Sequence, residues 1–315
     1  MRVRWNTTVE ETGGIIFELD DQTQEIPRES TPTTEHELLL RGIPPYTEIR
    51  FVLVGGPEET PHCSTGWSVE TGGVPAALPE LILDSETNPG DLTGFLATPA
   101  ITTGQSFLSF IDSQGRYVWA HRHDELVWRM RMGLDGESIL FNHNAESEDQ
   151  PGPIYRIAMD GSPVETLQIN GAHRDFVELP DGTLTTLVWE VKELEDPDTD
   201  GIRTIVGDSL VEVSPSGEQR TVWSIWNGHS PSLEEEMTLG LYPGDLEAEE
   251  WTHANALTYV PEDDSYLVSL DAWNSIVKID RSTGKELWFL SGGTGGDFES
   301  DELNLISNAH SVRPT

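Results

Sequence analysis

Three short segments hold the residue types best able to do group-transfer chemistry: Ala172-His-Arg-Asp-Phe176, Trp251-Thr-His-Ala-Asn255 and Asn308-Ala-His-Ser-Val-Arg313. Each centres on a histidine, whose pKa near neutrality lets the free ring act as nucleophile or base and the protonated ring as acid. His253 and Asn255 stand two apart at the predicted start of a strand, a spacing that sends both side chains to one face. His173, His253 and His310 each open a repeat unit. In an array whose innermost strands line one channel, those three imidazoles meet there. Arg174 and Arg313 lie close to two of them and offer guanidinium donors to an anion. Each histidine also fits a plain hydrogen-bonding role at a strand start; the threefold recurrence favours function.

Other clusters carry less. Asp196-Pro-Asp198-Thr-Asp200-Gly201 spaces three carboxylates two apart before a glycine, the opening of a calcium loop. Gly207 occupies the twelfth position, where a bidentate Glu would close such a loop, with Asp208 beside it. A structural calcium and a solvated acidic insertion both remain open readings. His121 and His123 alternate but lack an identifiable third metal ligand. Ser291-Gly-Gly-Thr-Gly-Gly-Asp297 lacks the Lys and the following helix of a phosphate loop. Cys63, the only cysteine, allows no intrachain disulfide and reads as an inert small side chain.

The elements that must position these residues are strands. Residues 1–74 alternate in strand fashion at Val3–Trp5, Gly14–Leu19, Glu35–Leu40 and Thr47–Val54, with a Gly42-Ile-Pro-Pro-Tyr46 turn. They predict a small β-sandwich. Residues 75–91, with Pro75, Pro79 and Asn88-Pro-Gly90, read as a linker. From about residue 92 a Gly-containing turn followed by a strand recurs at Asp112–Trp119, Asp160–Leu167, Ser214–Trp223 and Arg281–Trp288, roughly 46 to 67 residues apart. A second recurring turn, Leu134-Asp-Gly, Leu179-Pro-Asp-Gly and Val260-Pro-Glu-Asp, precedes three of them. Short strands with a periodic aromatic signature predict an all-β propeller over residues 92–315, because each blade buries its faces only against its neighbours. The count is four blades and the opening of a fifth, so a closed six-bladed ring calls for further sequence beyond Thr315.

Charge excludes whole classes of partner. With 18 Lys+Arg against 56 Asp+Glu the net charge is -38, which repels nucleic acid and anionic membrane surfaces. No apolar run approaches the length of a membrane span. Any anion site must therefore rest on local donors rather than on long-range attraction.

At 173–182, at 308–314 and most strongly at 251–290, the chain resembles the bacterial arylsulfotransferases, six-bladed propeller enzymes that move a sulfuryl group between phenols through a sulfated histidine. The resemblance spans about residues 92–315, and the N-terminal segment is similar to a fibronectin type III sandwich. It implies an aryl sulfate donor, a phenolic acceptor, no required cofactor and a secreted or periplasmic protein whose leader precedes Met1. His310-Ser-Val-Arg313 matches the family's His-x-x-Arg nucleophile element. His253 and Asn255 match its Trp-x-His-x-Asn pair, and His173 one histidine of its His-His-Asp element, with Arg174 in place of the other. The resemblance thus assigns attack to His310, protonation of the leaving phenolate to His253 or His173, and sulfuryl contacts to Asn255 with Arg174 or Arg313. At Ser269-Leu270-Asp271 the family carries Ser-Ser-Arg, so a carboxylate stands where its sulfuryl-binding cation would be. That departure supports an alternative reading as a non-catalytic propeller scaffold for ligand or protein binding. A calcium-dependent surface adhesion protein is a third.

Overall fold

The computed structural model describes residues 1–82, 94–102, 105–197, 201–233, 237–242, 246–291 and 296–298. Nearly all regular structure is antiparallel β. Two compact units separate, Met1–Leu126 and Val127–Thr315.

In the first unit, β1 (Arg2–Glu11) pairs with the later β4 (Thr33–Leu39), because β2 (Gly14–Leu19) turns tightly into β3 (Gln22–Ile26) and joins another sheet. That sheet is completed by β5 (Glu48–Gly55), with β6 (His62–Cys63) and β7 (Trp67–Glu70) both paired to β5. The inner faces share a core of Ile15, Phe17, Leu19, Leu40, Ile43 and Ile49, against which Val3, Trp5 and Leu38 of the two-stranded sheet pack. The four strands expected from alternation are present; β3, β6 and β7 are additional. A three-stranded meander of β8 (Leu96–Thr102), β9 (Gln105–Ile111) and β10 (Tyr117–His123) also belongs to this unit, although its sequence carries the first copy of the repeat.

The second unit repeats one plan. β11 (Arg129–Met132), β12 (Ser138–Asn142), β13 (Pro151–Ala158) and β14 (Pro163–Asn170) form an up-and-down sheet. β15 (Ala172–Glu178), β16 (Leu184–Glu195), β17 (Ile202–Val213) and β18 (Gln219–Ser224) form the next, extended along β17 by β20 (Leu246–Glu250) and its partner β19 (Thr238–Tyr242). β21 (Ala254–Val260), β22 (Ser265–Leu270), β23 (Ser275–Asp280) and β24 (Glu286–Ser291) form the third. Four-stranded meanders stacked face on face are propeller blades.

The sequence repeat now has a physical meaning. Its turn-plus-strand element is the last hairpin of each meander, ending in β10, β14, β18 or β24. The repeated glycines Gly115, Gly161, Gly217 and Gly284 all have positive φ, between 68° and 85°. A side chain there would strain the tight connection, so glycine marks the turn in every copy.

Neighbouring sheets of the second unit bury one another. Leu187, Leu210 and Trp223 from one pack with Leu257, Val268 and Val277 of the next. Each wholly buried leucine among them contributes about 1.5–3 kcal/mol. Polar ties cross the same seam: Arg281 Nε donates to Glu212 Oε1 at 2.7 Å, and the buried Tyr266 hydroxyl donates to the same oxygen at 2.7 Å. Among the described residues, no helix is long and apolar enough to cross a membrane.

Candidate functional site

The site forms where β15 and β21 begin. Each of these strand starts contains a non-glycine residue in the left-handed region, Arg174 at φ 56° and His253 at φ 51°. Both strands also break register, between His173 and Phe176 and between Ala254 and Ala256. Such residues persist only where surrounding contacts over-determine them, and bulges re-aim side chains. Here they turn two side chains toward each other: Arg174 Nη2 lies 3.3 Å from His253 Nε2.

The partners of His253 fix its tautomer. Nδ1 lies 2.8 Å from Glu250 Oε1, and its side chain is 22% exposed. A carboxylate only accepts and a guanidinium only donates, so Nδ1 carries the proton and the Nε2 lone pair accepts from Arg174. The hydrogen bond to Glu250 raises the pKa of His253; burial and Arg174 oppose it, and Asp271 adds to the rise. Trp251 anchors the segment, its ring 4.5 Å from Trp226 and 5.4 Å from Trp273.

Arg174 is held at three points. Its backbone N–H donates to Asn144 Oδ1 at 2.8 Å, its guanidinium carbon lies 4.4 Å from the centre of the Trp128 ring, and its tip meets His253. Stacking on Trp holds a guanidinium flat and still leaves edge donors for an anion.

His173 is buried, 2% exposed, with its ring stacked 4.8 Å from that of Trp189. Its Nε2 lies 2.9 Å from Asp208 Oδ1, off the line of a straight hydrogen bond, and Nδ1 has no partner among the described residues. Burial lowers the pKa of His173; Asp208 opposes this, while Arg174 and His253 reinforce it. The net effect is to favour the neutral ring. The other oxygen of Asp208 accepts from Thr252 Oγ1 at 2.6 Å and from the backbone N–H of Ala254 at 2.7 Å. Asp175 makes a second bridge between sheets, accepting from Arg129 Nε, Arg131 Nη2 and the backbone N–H of Leu257, each at 2.9 Å.

Several expectations are refined. The same-face rule for His253 and Asn255 does not hold, because β21 begins at Ala254 and the left-handed turn and bulge interrupt the alternation. Asn255 is buried, its Oδ1 accepting from Ser269 Oγ at 2.6 Å and its Nδ2 without a partner among the described residues. The side chains that touch His253 are those of Arg174 and Glu250. Asp271 starts a turn after β22, its backbone N–H donating to His253 O at 3.0 Å. His310, Arg313, Asp198 and Asp200 lie outside the described residues. Asp196 follows β16, its N–H donating to Gly201 O at 2.9 Å. Asp208 sits within β17, committed to Thr252 and Ala254 rather than to the acidic loop.

Glu250, Trp128 and Trp189 were not singled out from sequence, and Asp208 stood out only as a neighbour of the acidic loop. The spacing of Glu250-Trp-Thr-His253, a carboxylate three residues before the histidine, was a readable signal. Asp208 gave none for this role, since its partner Thr252 lies 44 residues away.

Residues 85–308 match the family model described as "Arylsulfotransferase (ASST)". The chain belongs to the arylsulfotransferase family. No curated relative matches this sequence. Similar solved structures are remote. One, of unknown function from Bacteroides caccae, has 10% identity over 91% of this chain and 76% of its own, with a TM-score of 0.36. The Kuenenia stuttgartiensis hydrazine synthase has 14% identity over 74% of this chain and 59% of its own, with a TM-score of 0.38. A putative 6-phosphogluconolactonase from Bacteroides fragilis has 13% identity over 97% of this chain and 98% of its own, with a TM-score of 0.33. This member carries Asp271 just after β22, the strand that follows Trp251-Thr-His-Ala-Asn255 and β21, and Arg174 across from His253.

Proposed function

We propose that this protein transfers a sulfuryl group from an aryl sulfate ester to a phenol through a sulfated histidine, without a nucleotide donor. Family membership supports the reaction class. The observation that carries the site assignment is the row Glu250–His253–Arg174, in which one carboxylate orients an imidazole and one guanidinium sits at its free nitrogen.

In this reading His310 attacks sulfur, the bond from sulfur to the aryl oxygen breaks, and the departing phenolate takes a proton from His253. Glu250 favours the protonated ring that this step needs. Arg174 turns its donors from the Nε2 lone pair to the sulfuryl oxygens, supplying the cation that Asp271 does not. The acceptor phenol then gives its proton to His253 and takes the sulfuryl group from His310, restoring both histidines. The transition state is expected to be loose, as in phosphoryl transfer, so positioning and charge dominate.

The test is ping-pong turnover of a nitrophenyl sulfate with a phenol, with trapping of a sulfated protein. His310→Ala should abolish both labelling and turnover, and His253→Ala should slow transfer while His310 remains labelled. Absence of label and turnover in the parent protein would refute the proposal. A second reading, a binding scaffold without catalysis, is favoured by Asp271, which places negative charge near His253. On that reading, sulfate and phenyl sulfate would leave the His253 ring resonances unmoved.

A further inference from the structure

One carboxylate ties His173 to the segment that carries His253. Asp208 is 2% exposed and sits on β17, within the sheet that contains His173. Its Oδ1 faces His173 Nε2 at 2.9 Å. Its Oδ2 reaches into the neighbouring sheet and accepts from Thr252 Oγ1 at 2.6 Å and Ala254 N at 2.7 Å. Thr252 and Ala254 are themselves buried, 0% and 1% exposed, and they flank His253 on either side. His253 is the left-handed residue between those two anchors, at φ 51°.

This arrangement has a specific consequence. A left-handed conformation at a residue with a Cβ is unfavourable, so an isolated strand start would relax toward extended backbone. Relaxation here would pull the Ala254 N–H and the Thr252 hydroxyl off a buried carboxylate, leaving charge without its donors. The strain at His253 is thus held by Asp208, and the same carboxylate faces the buried edge of the His173 ring. Trp189, directly opposite Asp208 in the β16–β17 ladder, stacks on His173 and closes the other side.

We propose that Asp208 is a positioning residue that sets the geometry of His173 and His253 jointly, across two sheets, so that loss of its second oxygen misaims His253 toward substrate. This rests on the sulfuryl-transfer reading for its kinetic consequence alone; the structural coupling stands apart from it.

The test uses Asp208→Asn and Thr252→Val in the whole chain, with thermal melting as the folding control. Histidine ring resonances are followed by NMR through a pH titration, and transfer kinetics are measured with nitrophenyl sulfate and phenol. Asp208→Asn should shift the ring signals of both His173 and His253. Thr252→Val, which removes one hydrogen bond on the His253 side, should shift His253 and leave His173 in place. Both variants should lose kcat, Asp208→Asn by about 10²-fold, with KM within about twofold, because misorientation rather than binding is affected. If both variants fold and the His253 signals stay at their parental positions and titration, the proposal is overturned. It is equally overturned if kcat is retained while the signals move. Shifted signals in a protein whose parent shows no transfer would uphold the coupling and refute the sulfuryl-transfer reading instead. Should Asp208→Asn not fold, Thr252→Val decides the matter.

Discussion

Replacing Arg174 by glycine should separate catalysis from stability, because the side chain and the backbone of this residue pull in opposite directions. Its guanidinium stacks 4.4 Å from the Trp128 ring centre, a contact worth about 0.5–1 kcal/mol at a partly exposed site. Glycine also adds about 0.5–1 kcal/mol of backbone entropy to the unfolded chain. Against these losses, glycine removes the left-handed penalty at φ 56°, about 1–2 kcal/mol. The backbone N–H that donates to Asn144 survives the change. The sum lies within about 1 kcal/mol of zero, or a melting shift of about 2–4 °C for a unit of this size. Transfer should respond quite differently. Removing one preorganised donor from developing charge costs about 10²–10³ in kcat, or about 2.7–4 kcal/mol. The assay is steady-state release of nitrophenolate in the presence of an acceptor phenol, paired with calorimetric melting of the same preparation. Turnover within about threefold of the parent would refute the clamp role, since no positioned cation is lost that cheaply. A melting loss above about 10 °C would refute the strain accounting, because it would mean Arg174 is held by contacts worth several kcal/mol.

Glu250→Gln should lower the pKa of His253, since the hydrogen bond to Glu250 is the main cause of its rise and burial and Arg174 then prevail. A raised folded pKa stabilises the protein below the ordinary value of 6.5 and loses that contribution as pH climbs through the folded value. The stability gap between parent and variant should accordingly be widest on the acidic side and close toward alkaline pH, as read from urea unfolding at a series of pH values; a pH-independent gap would contradict this. Gly284→Ala and Gly217→Ala form a pair that isolates sheet-to-sheet contact. Both residues have positive φ, but an added Cβ at Gly284 would lie 2.1 Å from the Val222 carbonyl oxygen, whereas Gly217 has nothing within 4 Å. Gly217→Ala should cost about 1–2 kcal/mol and Gly284→Ala about 2–5, the excess being overpacking against backbone, and equal denaturant midpoints would show that the seam yields.

What could be read from the sequence divides along a physical line. Turns and outer strands were legible because their determinants are local: a glycine forced into positive φ at Gly115, Gly161, Gly217 and Gly284 leaves the same mark in every repeat. The histidines were legible as chemistry, but their directions were not. Alternation along a strand predicts facing only while the ladder is regular, and at Arg174 and His253 the chain leaves the ladder. Adjacent residues are consequently turned apart: His173, expected to line the channel, is stacked against Trp189, and Arg174, expected to contact sulfuryl oxygens, reaches His253. The groups that enforce this, Asp208 and Asn144, act across 44 and 30 residues of chain and have no sequence signature of their own. A site built at the seam between sheets is therefore half visible by nature. Its histidines follow the repeat, while the carboxylates and amides that aim them belong to other strands and are found only once the sheets are stacked.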